Sequence, residues 1–456
     1  MVPAPRRRAA ARASGQVAGL GKTLSAELAR RRRALMRTMG EDSIAIVPAA
    51  HPATRSRDSE YRYRQDSDFL YLTGFVEPEA LAVIVPGRKA GQYLLFCRER
   101  DPDKETWHGR RIGVERAPQA LGADDAFPIG DLDDILPGLL EGRRRVFHTL
   151  GRDVELDARL LGWLRRARSS RRRTGANPDT IVSLDYHLHE MRLKKSRAEL
   201  ALVRRAARIT AAGHVRAMRR CRPGMREHEL EAELTHEYVR EGAEHAFLPI
   251  VGGGANGCIL HYTENASTLD DGELVLIDSG AEYRGYAGDI TRTFPVGGRF
   301  SEAQAELYSI VLEANLAAID AVRPGVSWNA PHEAALRVLV KGLRSIGVLK
   351  GTPAQLIRDE AYKPYYMHKT RHWLGLDVHD VGEYKVADEW RELEPGMVLT
   401  VEPGLYLGDR RNIPKRFRNV GIRVEDDVVV TADGCEVLTD AVPKSIEGIE
   451  SLMGEP

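Results

Sequence analysis

The chemistry in this chain gathers in its second half, where apolar runs end in acids. Residues 274–277, Leu-Val-Leu-Ile, form the continuous apolar run expected of a buried strand, and the run ends in Asp278. After a turn-like stretch over residues 280–288, the chain resumes as Asp289-Ile-Thr-Arg-Thr-Phe294. Pairing of the two runs brings Asp278 near Asp289, and two carboxylates side by side repel unless a cation relieves them. The pattern recurs. Residues 397–401, Met-Val-Leu-Thr-Val, end in Glu402-Pro403-Gly404. In residues 421–430, strand alternation puts Ile422 and Val424 on one face and Arg423 and Glu425 on the other. Between these runs lie His368, His372 and His379, three of the chain's 14 histidines.

Each signal alone has a structural reading. A strand-end Asp caps a turn, Glu-Pro-Gly is a turn, and a histidine packs in a core. Together they resist that reading, because uncompensated burial of so many charges costs several kcal/mol per ion. Oxygen-rich ligation with one imidazole suits a hard cation such as manganese, with cobalt or zinc as substitutes. Five such ligands with shared carboxylates hold two ions roughly 3.5 to 4 Å apart, the geometry of two-metal hydrolases.

The elements that must position these residues look duplicated. Ser196-Arg-Ala-Glu199 opens a helix with a capping-box pattern, and Ser301-Glu-Ala-Gln304 opens another. The helices end before Arg222-Pro-Gly224 and Arg323-Pro-Gly325, and each is followed by a second amphipathic helix, over residues 225–242 and 328–346. Two helix-helix-strand units facing each other make a central cleft. The first half differs. Short strands over residues 43–47, 81–85 and 93–96 alternate with helical stretches, as in an α/β domain, and no catalytic constellation accompanies them. An Arg-rich stretch over residues 165–173 runs into Thr174-Gly-Ala-Asn-Pro178, a solvated loop, and the domain join is expected after it.

A chain of 456 residues exceeds the size at which one core stops growing. The expected domains are residues 24–192 and 193–456, after a disordered Arg/Ala-rich start over residues 1–23. Residues 1–33 carry eight arginines and Lys22 against the one acid Glu27, a composition shared with organellar transit peptides. Over the whole chain Lys+Arg (67) balance Asp+Glu (66), so no nucleic-acid partner is implied. No run reaches the roughly 20 apolar residues of a membrane span. Cys97, Cys221, Cys258 and Cys435 form no CxxC pair, which speaks against a thiolate zinc site and a disulfide framework and for a reducing cytoplasm.

Asp278, Asp289, His372, Glu402 and Glu425 match, in order and context, the ligand pattern of the pita-bread metallopeptidases. Within that group the chain resembles the aminopeptidase P family most, at Ile259-Leu-His261-Tyr-Thr-Glu-Asn265, Ile277-Asp-Ser-Gly280, Tyr286-Ala-Gly-Asp-Ile-Thr-Arg-Thr-Phe294, His372-Trp-Leu-Gly-Leu-Asp-Val-His379-Asp and Thr400-Val-Glu-Pro-Gly-Leu-Tyr406. The likeness extends to Asp58-Ser-Glu-Tyr61, Tyr63-Arg-Gln-Asp-Ser-Asp-Phe69 and Trp107-His-Gly-Arg-Arg111 in the first half. It implies an α/β class fold, a creatinase-like N-terminal α/β domain followed by a pseudo-twofold α+β pita-bread catalytic domain. It also implies hydrolysis of the Xaa-Pro bond at a peptide's N-terminus and a homo-oligomer. Two divalent ions, Mn2+ before Co2+ or Zn2+, would be bridged by Asp289 and Glu425. Asp278 would hold one and His372 with Glu402 the other, and a water or hydroxide between them would be the nucleophile. Glu402 would shuttle the proton, and His261 and His379 would face the substrate and stabilise the oxyanion. His368 and Arg423 would support the ligands, Tyr406 would line the site, and Trp107 of a neighbouring subunit would wall the proline pocket. Prolidase and the metal-free pita-bread binding modules are the alternatives; the first acts on dipeptides, and the second lack the ligand set. One departure from the family pattern is Lys369-Thr370-Arg371, where relatives carry small residues; the charge of Arg371 is expected to point to solvent.

Overall fold

The computed structural model describes residues 22–169 and 177–454. The expected disordered start lies outside them up to residue 21; Lys22 and Thr23 already belong to the first helix, Lys22–Met39. Residues 170–176, part of the Arg-rich stretch and its loop, also lie outside. The chain divides into two compact units, Met1–Met191 and Arg192–Pro456.

The first unit is built on a six-stranded mixed sheet. Its strands are β1 (Ser43–Pro48), β2 (Leu81–Ile84), β3 (Tyr93–Cys97), β4 (Asp125–Pro128), β5 (Arg145–Phe147) and β6 (Thr180–Val182), in the order β4-β3-β2-β1-β5-β6. Alternate residues Ile44, Ile46, Leu81, Val83, Leu94 and Phe96 face one layer of helix. There Leu132, Leu136 and Leu140 of one helix and Leu160, Trp163 and Leu164 of the next close the core. The unit therefore continues past the Arg-rich stretch by one strand and most of one helix.

The second unit holds the duplication. Helix α1 (Arg197–Arg220) packs on α2 (Glu227–Arg240), and α3 (Glu302–Asp320) packs on α4 (Ala330–Ser345). Both long helices, α1 and α3, start in complete capping boxes, at Ser196 with Glu199 and at Ser301 with Gln304, each worth about 1 kcal/mol. Strands β7 (Ile250–Gly253), β8 (Leu274–Ser279) and β9 (Ile290–Pro295) form one antiparallel sheet. Strand β10 (Val398–Val401) pairs with β13 (Asp426–Val430), and β11 (Gly404–Leu407) pairs with β12 (Val420–Arg423).

Two details depart from the sequence pattern. The stretch expected as a turn over residues 280–288 contains a small hairpin, Ala281–Tyr283 against Tyr286–Ala287, because Arg284 and Gly285 both take positive φ, as a two-residue hairpin turn demands. The strand expected across residues 421–430 breaks at Val424 and Glu425 and changes partner there, from β11 to β10. The break leaves strand-end carbonyls without a ladder, and buried Asn315 on α3 donates to both, Val401 O at 3.0 Å and Val424 O at 3.2 Å. Thr210 holds the equivalent place on α1, where its hydroxyl accepts from Ala281 N just past β8. The acids Asp278, Glu402 and Glu425 thus stand where strands stop, and buried polar side chains from the long helices secure those stops.

Candidate metal centre and active site

Asp278 is the penultimate residue of β8, paired opposite Thr291 of β9, and Asp289 immediately precedes β9. Glu402 follows β10 and Glu425 precedes β13. His372 lies beside β10, its carbonyl taking the Thr400 N–H and its own N–H bonding Thr400 Oγ1. Five chain segments thus converge. Ligand atoms of Asp289, His372 and Glu425 lie within 4.8 Å of one another. His372 Nε2 is 3.5 Å from Asp289 Oδ2 and 3.7 Å from Glu402 Oε1.

The donor chemistry shows what this recess wants. His372 Nδ1 sits 2.9 Å from the Trp373 carbonyl, which only accepts, so Nδ1 carries the proton and Nε2 turns a lone pair toward the carboxylates. Oδ1 of Asp278 and Oδ1 of Asp289 are buried without a hydrogen-bond partner among the described residues. Burial, then Asp278, drives Asp289 well above the ordinary carboxylate range; burial, then Asp289, does the same to Glu425; burial raises Glu402 to about 7. Lone pairs aimed at lone pairs, orphaned carboxylate oxygens and acids that repel one another all fit a bound cation.

Around these residues runs a hydrogen-bonded support. Arg423 donates from Nη2 to Asp278 Oδ2 at 2.6 Å, from Nη1 to the Tyr406 hydroxyl at 2.8 Å and from Nε to Thr291 Oγ1 at 3.0 Å. Thr291 passes its own proton to Glu425 Oε2 at 2.6 Å. The Tyr406 hydroxyl in turn donates to His368 Nε2 at 2.8 Å, since His368 Nδ1–H is taken by the Lys369 carbonyl. Burial holds His368 neutral, down to about 3. Tyr406 is buried beneath the recess rather than exposed along it, and its hydroxyl serves Arg423 and His368. His261 and His379 are exposed at the rim; the His379 ring meets that of His372 edge-on at 4.3 Å, and burial, then His372, lowers its pKa. Asp380, next in the chain, is buried with Lys195 and Arg192, which bond it at 2.9 and 2.5 Å. Burial works against its charge, but the two cations outweigh that and hold it below the usual carboxylate range. Trp107 belongs to the first unit, where it is 84% exposed at the end of a short helix.

Arg371 does not point to solvent. It is 5% exposed, with its guanidinium carbon 4.5 Å above the Trp328 ring. Alternation explains this: with His372 turned to the recess, Arg371 and Trp373 turn the other way, into the protein. The sequence reading missed Thr291, Arg292 and Asp427. Arg292 is fully buried and bonds the Asp426 carboxylate and the Glu425 carbonyl, and Asp427 Oδ2 accepts the Asp289 N–H at 3.0 Å. The alternating Thr291 and Thr293 around Arg292, three polar residues in a fully buried strand, were the signal available.

A recess of four carboxylates and one imidazole, carried on the strand ends of a duplicated α+β unit, defines a metal-dependent hydrolase. The chain belongs to metallopeptidase family M24, which matches residues 201–432, with an aminopeptidase P N-terminal domain over residues 28–147. It is 49% identical to the Xaa-Pro aminopeptidase of Escherichia coli K12 over 429 residues, 94% of this chain and 97% of that one. Among solved structures it resembles aminopeptidase PepP of Pseudomonas aeruginosa, with 55% identity, a TM-score of 0.93, and coverage of 94% of this chain and 98% of that one. It also resembles zinc-substituted E. coli aminopeptidase P in complex with product, with 48% identity, a TM-score of 0.91, and coverage of 94% and 98%. The fold is accordingly a creatinase-like N-terminal α/β domain followed by a pita-bread catalytic domain.

Proposed function

We propose that this chain is a metal-dependent Xaa-Pro aminopeptidase, releasing the N-terminal residue of peptides whose second residue is proline. His372 carries the reading: its one N–H is spent on a carbonyl, and its free lone pair faces Asp289 and Glu402 among acids that repel one another. Asp278, Asp289, His372, Glu402 and Glu425 are the residues that would hold two divalent cations. Mn2+ is the proposed resident ion because four carboxylates and one imidazole make a hard donor set, which Co2+ and Zn2+ also fit. Such cations would supply Lewis-acid polarisation of the scissile carbonyl and would lower the pKa of a bound water.

The remaining work falls to side chains. Glu402 takes the proton of the attacking water at its carboxylate and returns it to the prolyl nitrogen, which needs a proton to leave. His261 and His379 offer N–H groups to the oxyanion that develops on the carbonyl. Arg423, Tyr406 and His368 fix the carboxylates' orientation. Proline selectivity follows from the tertiary Xaa-Pro amide, which has no N–H for a peptidase to hold, so the ring itself must be fitted. His261 and His379 form walls for it, and Trp107 of a second copy in a homo-oligomer is the proposed third. A cytoplasmic setting is proposed because all four cysteines are free.

The test is hydrolysis of Xaa-Pro-Yaa tripeptides, Xaa-Ala-Yaa tripeptides and Xaa-Pro dipeptides by metal-stripped protein, with and without Mn2+. Release of the first residue from Xaa-Pro-Yaa alone, and only with metal, is expected. Cleavage confined to dipeptides moves the assignment to prolidase, and no cleavage with Mn2+, Co2+ or Zn2+ removes it.

A further inference from the structure

Glu227, the first residue of α2, is fully buried and plays no part in the recess chemistry. Its carboxylate accepts four hydrogen bonds. Oε1 takes Gly253 N at 2.8 Å and Asn256 Nδ2 at 2.9 Å; Oε2 takes the Tyr262 hydroxyl and Ser267 N, both at 2.8 Å. All four donors belong to one segment, residues 253–267, and they come from its start, its middle and its end. His261 stands in that segment, exposed at the rim, directly before the bonded Tyr262.

The segment's other attachments leave Glu227 as its hub. Asn265, at a positive φ of 46°, accepts Val251 N and donates to the Pro249 carbonyl and to Glu231, which fixes the far end. At Gly257 the backbone comes so near Gly421 that a methyl group on Gly421 would lie 2.0 Å from the Gly257 carbonyl oxygen. Between these anchors, the Glu227 carboxylate bonds both Asn256 and Tyr262, the residues that bracket His261, and both of these also bond Ser267 within the same segment. A carboxylate suits the place because it accepts at both oxygens, and buried charge satisfied by four donors is a rigid anchor.

We propose that Glu227 is a positioning residue for peptide hydrolysis: it locks residues 253–267 so that His261 meets the substrate, and it acts on catalysis through His261. The proposal rests on the reading of His261 as substrate-facing. Glu227→Gln keeps the shape but turns an NH2 against two donors. Tyr262→Phe is a milder cut that removes one bond.

The experiment measures kcat and KM of Mn2+-loaded full-length protein on an Xaa-Pro-Yaa peptide. Glu227→Gln and Tyr262→Phe are each made in the wild-type and His261→Ala backgrounds. Glu227→Gln is expected to lower kcat up to about 100-fold, the effect of a catalytic group displaced by about 1 Å, with KM changed far less. Tyr262→Phe is expected to lower it several-fold, and in the His261→Ala background both effects should shrink to less than about twofold. If Glu227→Gln fails to fold, the Tyr262→Phe cycle decides alone. Equal losses in both backgrounds, or no loss in the wild type, overturn the proposal. A His261→Ala protein as active as the wild type overturns it differently, by removing the reading of His261, and a wild type inactive on every Xaa-Pro peptide removes the proposed function itself.

Discussion

Arg423 bonds Asp278 at 2.6 Å across 145 residues of sequence, joining an acid of the first repeat to a cation of the second. The same guanidinium reaches Glu425 through Thr291, so one side chain orients acids on both sides of the recess. Burial opposes its charge, but Tyr406 and Asp278 outweigh that and hold it above its ordinary range.

Arg423→Lys keeps the charge but can reproduce only part of a three-way fork. We expect it, and Arg423→Gln more strongly, to weaken Mn2+ binding by about 10- to 100-fold and to lower kcat/KM in parallel. Calorimetric titration of metal-stripped protein measures the first effect, and unchanged affinity in the Gln variant would show that Arg423 does not orient ligands.

The metal-free protein should lose stability as pH rises. Asp289, Glu425 and Glu402 titrate above their ordinary values in the folded state, Glu402 at about 7, whereas in the unfolded chain they titrate near about 4. Between those limits the folded protein holds protons that the unfolded chain has released, so folding is favoured at the acid end and penalised as pH climbs. A cation displaces those protons. The gap in Tm between Mn2+-loaded and metal-free protein should therefore widen from about pH 5.5 to about pH 8, and a gap that stays constant would contradict the repulsion inferred here.

Asp289→Asn separates function from stability. It removes a proposed ligand, so hydrolysis should fall below detection even at high Mn2+. It also removes a buried charge that Asp278, Asp427 and Glu402 all oppose. In the absence of metal the variant should melt higher than wild type, by roughly 1 to 2 °C for each kcal/mol relieved in a chain of this size. Retained hydrolysis would break the two-metal assignment; a lower metal-free Tm would show that the acids are not in conflict.

These relationships were unequally legible in the sequence. Apolar runs ending in Asp278 and Glu402 stood out because an acid there contradicts its surroundings, and the serines at 196 and 301 announced the two long helices through capping boxes with a clear local mechanism. Thr291 and Asp427 were not legible as support, since a hydroxyl or a second acid in a strand has many ordinary uses. The change of strand partner at Val424 was hidden because Ile422, Val424 and Val428 keep one alternating register, interrupted only at Asp426. Arg371 was misread for a general reason: charged residues default to solvent, and only its place opposite His372 reveals the burial.

That burial makes Arg371 a test of what an isolated internal charge is worth. Two of its nitrogens, Nε and Nη1, meet no acceptor among the described residues, and burial pushes the guanidinium down to about 9. Its compensation is the face of Trp328, where a desolvated cation–π contact contributes about 2 kcal/mol, together with a weaker attraction from Glu333. Burying a charge without a partner costs several kcal/mol. Arg371→Met fills much of the same volume without that cost, so its urea midpoint should equal or exceed the wild type's. Arg371→Ala removes the packing as well and should fall by about 2 kcal/mol or more through the cavity it leaves. A Met variant that loses more than about 1 kcal/mol at unchanged m-value would mean that Arg371 is favourably compensated where it lies, beyond its stacking on Trp328.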